Sequence, residues 1–205
     1  KKNYFDTVSC MGEESDRTQL YQAEFERRKL EQSFETIDDY LQGLMMEGKA
    51  ASFEPVRYPR IAQLTQRSNQ FNLRTIRYTE DEIQRIAENE RFITLYFTLK
   101  DRFGDHGLVS VVILEKMSKD EIFIDTWLMS CRVLKRGMEE FVMNCIVDTV
   151  RRNEFKTLSS EYIPTQKNKM VKDIYQVMGF DRTGEATYEL AVNSYEPKKT
   201  FIKEE

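Results

Sequence analysis

The residues whose types and spacing best suit chemistry lie between Glu121 and Arg152. A β-type run, EIFIDTWLM, leads through the basic turn Lys135, Arg136, Gly137 into a run where Met138, Phe141, Val142, Cys145, Ile146 and Val150 recur at helical spacing. A strand feeding a helix through such a turn aims free backbone N–H groups, and the positive end of the helix dipole, at one spot. That spot suits a phosphate. A second concentration is Ser68, Asn69, Gln70 and Asn72 around Phe71, followed by Thr75 and Arg77. These side chains either bond their own backbone in turns and caps or line a substrate. The single histidine, His106, sits in the glycine-rich loop DRFGDHG, as a turn residue or a substrate contact. Cys131 has no second histidine to activate it as a thioester carrier, and Cys145 reads as a small core residue.

The elements that must position these groups follow from periodicity. Charged sequence from Ser15 to Phe34 carries a narrow apolar stripe, and Thr36 with Asp39 opens a second helix through Ile37, Leu41, Leu44 and Met45 to a stop at Gly48. A short strand is expected near Ala50 to Val56, then a helix from Pro59 through Ile61 and Leu64. Thr79 and Glu82 form a capping box. Phe92 to Lys100 and Leu108 to Lys116 form a hairpin, followed by a third strand with Ile122, Ile124, Thr126 and Leu128 on one face. After the helix at Gly137 come a strand from Thr157 to Ile163, a helix from about Lys167 to Met178, and strands at Phe180 and TYELAV. This order predicts an α/β (α+β) domain with a mixed, mostly antiparallel sheet and helices on both faces. The expected division is a helical linker over residues 1–48, a domain over 49–195 and a flexible tail over 196–205.

Composition limits the partners. The 31 basic and 35 acidic residues are interspersed at a net charge of -4, without the basic footprint of a nucleic-acid binder. Three cysteines at unrelated spacings and one histidine supply neither a disulfide framework nor a metal site, which fits a reduced cytoplasmic setting. No run is apolar enough for a membrane span, and the first residue is not methionine, as in a piece of a longer chain.

The element order and two motifs resemble the GNAT acyltransferase fold. In NKMVKDIYQVMGF, Asn168, Tyr175, Gly179 and Phe180 fall on positions of that family's fourth-helix signature, with Val171 where alanine is usual. The family's pyrophosphate loop, Arg/Gln-x-x-Gly-x-Gly/Ala, aligns with Leu134 to Glu139; the central Gly137 is kept, but leucine begins it and glutamate ends it. The runs IAQLTQRSNQFNLRTIRYTEDEI, DRFGDHGLVSVVI, IDTWLMSCRVLKRGMEE and EYIPTQKNKMVKDIYQVMGF are similar to the C-terminal half of FkbH-type proteins, where a HAD phosphatase-like domain precedes a GNAT-like one. The stretch YFDTVSCMGEESDRTQLYQAEFERR is similar to the segment leaving the HAD domain, and the Asp-x-Asp of HAD chemistry is not in it.

The resemblance implies a cofactor or arm of the acyl-CoA or phosphopantetheine type, held by backbone groups of Ser130, Cys131, Arg132, Val133 and Leu134, with Arg136, Gly137 and Met138 at its phosphate and Asn168 nearby. It implies Tyr175 as donor to a leaving thiolate, or else as an aromatic packed on the sheet. By position, Glu161 before the last helix, Asp125 before the loop and His106 at the hairpin tip are the candidate bases, or else satisfied polar residues and a solvated turn residue. Asn69, Gln70, Asn72 and His106 are the substrate candidates. An acyl carrier protein is the implied partner, beside the HAD-like domain of the same parent chain, in making methoxymalonyl-type extender units or a surface polysaccharide. The competing roles are a carrier-docking scaffold without catalysis and an N-acetyltransferase acting on a small amine.

Overall fold

In the computed structural model, which describes residues 22–205, the chain begins with helix α1 (residues 22–32) and helix α2 (Ile37–Gly43), capped by Thr36 accepting from the Asp39 N–H. Strand β1 (Glu47–Ala51) follows, so Gly48 lies within a strand rather than ending a helix. An added Cβ there would meet Ile202 at 2.8 Å and Phe141 at 2.9 Å, and close packing is the physical reason for glycine. Helix α3 (Tyr58–Arg67), strand β2 (Phe71–Asn72) and helix α4 (Glu80–Ala87) come next, with both bonds of the Thr79–Glu82 capping box present. The sheet core is β3 (Phe92–Asp101), β4 (Gly104–Lys116) and β5 (Glu121–Met129), then α5 (Met138–Arg152), β6 (Thr157–Glu161), α6 (Ile174–Met178), β7 (Asp181–Arg182), β8 (Thr187–Ala191) and β9 (Lys203–Glu204). Most of the stretch similar to the end of a HAD domain, including Cys10 and the first part of the Ser15–Phe34 run, lies outside the described residues.

The strand order is β7-β8-β6-β5-β4-β3-β1-β9, antiparallel except for β5 with β6 and β1 with β9, and β2 pairs with β5 off this path. Ile61, Leu64 and Ile83 of α3 and α4 pack with Val111, Ile113 and Leu128 on one face. Phe141, Val142 and Ile146 of α5, with Tyr175 and Met178 of α6, pack with Phe97, Ile124 and Trp127 on the other. The expected α/β architecture with helices on both faces is therefore present.

Strand β5 does not keep one alternation. Ile113 pairs with Thr126 and Leu114 with Ile124, which leaves Asp125 as the extra residue of a β-bulge. The bulge flips the phase: Ile122 and Ile124 share the α5 side with Trp127 and Met129, while Leu128 faces α3, so Ile124 and Leu128 do not share a face. Two further expectations change. The helix placed from Lys167 to Met178 is a 3-10 turn at Lys169–Val171 and a short α6, which leaves Asn168 in the preceding turn. The stretch 196–205, expected to be loose, is tied down: the Lys198 N–H donates to Asn144 Oδ1 at 2.8 Å, Ile202 is buried, and β9 pairs with β1.

Candidate functional site

Strands β5 and β6 pair in parallel from Glu121–Thr157 to Ile124–Ser160 and then stop, at the bulged Asp125. Beyond this fork the two strands diverge, and their facing peptide groups need partners. Residues 71–73 supply them. Phe71 pairs with Met129 and Asn72 with Leu128, the Leu73 N–H donates to the Trp127 carbonyl at 3.4 Å, and the Ile163 N–H donates to the Leu73 carbonyl at 2.8 Å. Phe71 and Leu73 are fully buried, with Phe71 edge-on to Trp127 at 5.2 Å between centroids.

The amide-rich stretch predicted around Phe71 holds this insertion in place. Asn72 is buried; its Nδ2 donates to the Ser68 carbonyl at 3.3 Å and its Oδ1 accepts from the Thr75 N–H at 2.8 Å. Asn168, also buried, donates through Nδ2 to the carbonyls of Asn72 and Ile163, both at 3.0 Å, and accepts from the Thr165 N–H at 2.7 Å. Both side chains are committed to protein partners, the Tyr162 hydroxyl also donating to Asn168 Oδ1 at 3.2 Å, and they act as stitches between β2 and the loop after β6.

At the fork itself Arg74 draws two carboxylates together. Its Nη1 donates to Asp125 Oδ1 at 2.8 Å and its Nε to Glu161 Oε2 at 3.0 Å, with the guanidinium 4.9 Å above the Phe123 ring. Asp125 Oδ2 accepts from the Tyr78 hydroxyl at 2.6 Å and from Thr126 Oγ1 at 2.9 Å. Burial, then the bond to Asp125, pushes the Tyr78 phenol well above its usual range. The structure thus brings Asp125 and Glu161 into one cluster, but as satisfied partners of an arginine. Tyr175 is fully buried, packed among Trp127, Phe180 and Tyr188. Among the described residues its hydroxyl makes no well-formed hydrogen bond, and burial, only partly offset by the nearby Ser160 hydroxyl, pushes its phenol far up.

The turn ahead of α5 is also occupied by its own side chains. Lys135 and Gly137 both take positive φ, at 63° and 78°. The Lys135 N–H, one of the groups expected to face a phosphate, donates to Glu139 Oε1 at 2.9 Å. Burial raises the Glu139 carboxyl above its ordinary range. Thr200 Oγ1 donates to the Gly137 carbonyl at 2.9 Å and lies 3.1 Å from where a Cβ would stand. Arg136 turns away, with its guanidinium 3.6 Å from both Asp101 and Glu24, and Val133 and Met138 are fully buried. His106 belongs to the same distant network: its Nε2 lies 3.0 Å from Asp101 Oδ2 and 3.2 Å from Arg27, so it fastens α1 to the β3–β4 hairpin. A pyrophosphate at this turn would face the Glu139 carboxylate, and an extended arm along β5 would meet Phe71 to Leu73. These residues, as arranged, do not fit coenzyme A bound along the fork.

An open cleft of about 690 Å³ lies at the end of β5, between α3 and the loop after β6. It gathers Asn69 and Gln70 from the substrate candidates and Ser130, Cys131 and Arg132 from the cofactor candidates. Leu134, Arg136, Gly137 and Met138 lie outside it. Asn69 Oδ1 is held by Arg77 at 2.8 Å. The rest of its charge comes from Arg60, Arg67 and Lys167. Sequence reasoning missed Arg60, Arg67 and Arg74, although the spacing of Arg60, Gln63 and Arg67 along α3 places them on one helix face. Among the described residues no group of three or more His, Cys, Asp or Glu could hold a metal ion, and no helix is long and apolar enough to cross a membrane.

No family model and no curated protein matches the sequence. Solved structures do match the fold. The ribosomal-protein-S18-alanine N-acetyltransferase from Escherichia coli aligns at a TM-score of 0.53 and 15% identity, over 71% of this chain and 94% of that one. Ard1 from Thermoplasma volcanium aligns at 0.53 and 17%, over 69% and 94%. A mutant form of the spermidine/spermine N-acetyltransferase SpeG from Vibrio cholerae aligns at 0.55 and 12%, over 73% and 96%. The shared property is the fold of GNAT N-acetyltransferases.

Proposed function

From that fold and its self-filled fork, we propose that this chain is a GNAT-like domain that recognises an acyl group carried on the phosphopantetheine arm of an acyl carrier protein. It does so without drawing on free coenzyme A along β5. The observation that carries this reading is the insertion of Phe71 to Leu73 between β5 and β6. Burying two such side chains is worth about 1.5–3 kcal/mol each. A ligand that had to expel them would lose several kcal/mol, and about 4 kcal/mol is already a thousandfold in affinity. A carrier-borne arm has a way around this loss, because the protein contact adds affinity that free coenzyme A lacks. The FkbH-like runs supply the context: a HAD-like domain of the same parent chain and assembly of an extender unit or a surface polysaccharide.

A second reading keeps acyl transfer within the domain and is favoured by the Arg74–Asp125–Glu161 cluster at the bulge. In it the segment carrying Phe71 to Arg74 withdraws, and Asp125 or Glu161, released from Arg74, serves as base. The N-acetyltransferase reading would use the same residues on an amine.

Calorimetry separates these. Holo carrier protein is expected to bind and apo carrier protein to bind more weakly. Equal affinity for the two carrier forms would contradict the recognition of the arm. Thiol release from acetyl-CoA with an amine acceptor, abolished in Asp125→Asn, would favour the second reading.

A further inference from the structure

The cleft beyond Met129 has a composition that the fork does not explain. Arg60 and Arg67 reach it from positions about two turns apart on α3, Arg132 from the turn after β5 and Lys167 from the loop after β6. Among the described residues no carboxylate lines it and none of these four cations has a salt-bridge partner. Arg60 is half-buried; burial first, then the nearness of Arg132 and Arg67, disfavours its charged form. Convergent cations with no lining counter-charge repel one another, and an anion placed among them reverses that repulsion. The neighbouring donors Gln63, Gln166 and Ser130 add hydrogen bonds without adding negative charge.

We propose that this cleft binds a phosphate ester, with Arg60, Arg67, Arg132 and Lys167 as its cations. Arginine forks match the oxygens of phosphate, and three of them exceed what a single carboxylate can engage. The volume, about 690 Å³, is far larger than a bare phosphate, and Leu64 and Met129 give the cleft an apolar wall. The ligand is therefore an ester with a tail of substantial length. The proposal rests on the preceding reading only for the source of that ester: phosphopantetheine on a carrier, or a free phosphorylated metabolite.

The experiment is calorimetry on the full chain with phosphopantetheine, pantetheine, glycerol 3-phosphate, and holo and apo carrier protein, repeated on Arg67→Ala/Arg132→Ala and on the control Lys119→Ala. Circular dichroism verifies that each variant is folded, and Arg67→Lys/Arg132→Lys provides a milder change that keeps the charge. Phosphopantetheine is expected to bind and pantetheine to bind at least tenfold more weakly, with roughly tenfold or greater loss in the alanine pair, partial loss in the lysine pair and none in the control. Binding of phosphopantetheine with no advantage of holo over apo carrier protein keeps the cleft and removes the carrier as source. Tight binding of glycerol 3-phosphate points to a free metabolite. Absence of binding by either phosphate probe at millimolar concentration, or binding that the alanine pair leaves unchanged, overturns the proposal.

Discussion

The Ile163 N–H donates to the Leu73 carbonyl at 2.8 Å, across the gap where β5 and β6 have ceased to pair. Through this bond and the one from Leu73 to Trp127, a three-residue insertion restores continuity to a sheet that would otherwise expose two edges. Phe71→Ala removes the largest buried anchor of that insertion and is expected to destabilise the fold by about 3–5 kcal/mol. Denaturant unfolding measures it; a loss below about 1 kcal/mol would mean that the insertion is loosely held.

Asp101 organises the packing of α1. Its carboxylate accepts from Arg27 Nε at 2.7 Å and Nη2 at 3.0 Å, and from the Phe103 N–H at 2.9 Å. Burial by itself would raise this carboxyl, but the bonds from His106, Arg27 and Phe103 outweigh it and hold it well below the usual range. A depressed carboxylate stabilises above its unfolded pKa, about 3.9, and that stability is lost as pH falls toward the folded value. Asp101→Asn is expected to cost about 3–5 kcal/mol at pH 7, since it strands Arg27, and to flatten the acid limb of stability below about pH 4. An unaltered acid limb would rule the network out as its origin.

Glu139 has the opposite sign. Its carboxyl is raised by burial, so its contribution is fully present below the unfolded value of about 4.3 and is lost as pH rises through the folded one. Glu139→Gln retains an acceptor for the Lys135 N–H and removes the buried charge. A gain of about 1 kcal/mol at pH 7, vanishing near pH 4, is the expected result in chemical denaturation. A loss at pH 7 would show that the charge itself holds the turn.

Tyr175→Phe deletes a buried hydroxyl that has no well-formed hydrogen bond among the described residues, so stability is expected to be unchanged or to rise by about 1 kcal/mol. If thermal unfolding shows a loss above about 1 kcal/mol, the hydroxyl has a structural bond. Loss of acyl transfer with stability intact would restore Tyr175 as a proton donor.

Most of the architecture was legible because it rests on local signals: the Thr79–Glu82 box, the hairpin from Phe92 to Lys116 and the apolar face of α5 from Met138 to Val150. What was not legible depends on partners distant in sequence. Phe71 looks like a lone aromatic in a polar loop until Met129 and Ile163 are brought beside it. The bulge at Asp125 leaves the sequence of β5 alternating normally and shows only in its register with β4. Asn168 fits a helix signature, yet its bonds to Thr165, Asn72 and Ile163 serve the turn before α6. Of the site residues, Asn69, Gln70, Ser130, Cys131 and Arg132 converge on one cleft, while His106 and Arg136 were drawn off by Asp101, which no local spacing could reveal.

The central claim is that the fork is filled from within, and titration of the full chain with acetyl-CoA, read together with amide exchange at Leu73 and Ile163, tests it most directly. The account expects both amides to remain protected up to millimolar acetyl-CoA, with any binding heat arising from the arginine-lined cleft and lost in Arg67→Ala/Arg132→Ala. Micromolar binding accompanied by loss of protection at Leu73 and Ile163 would contradict it.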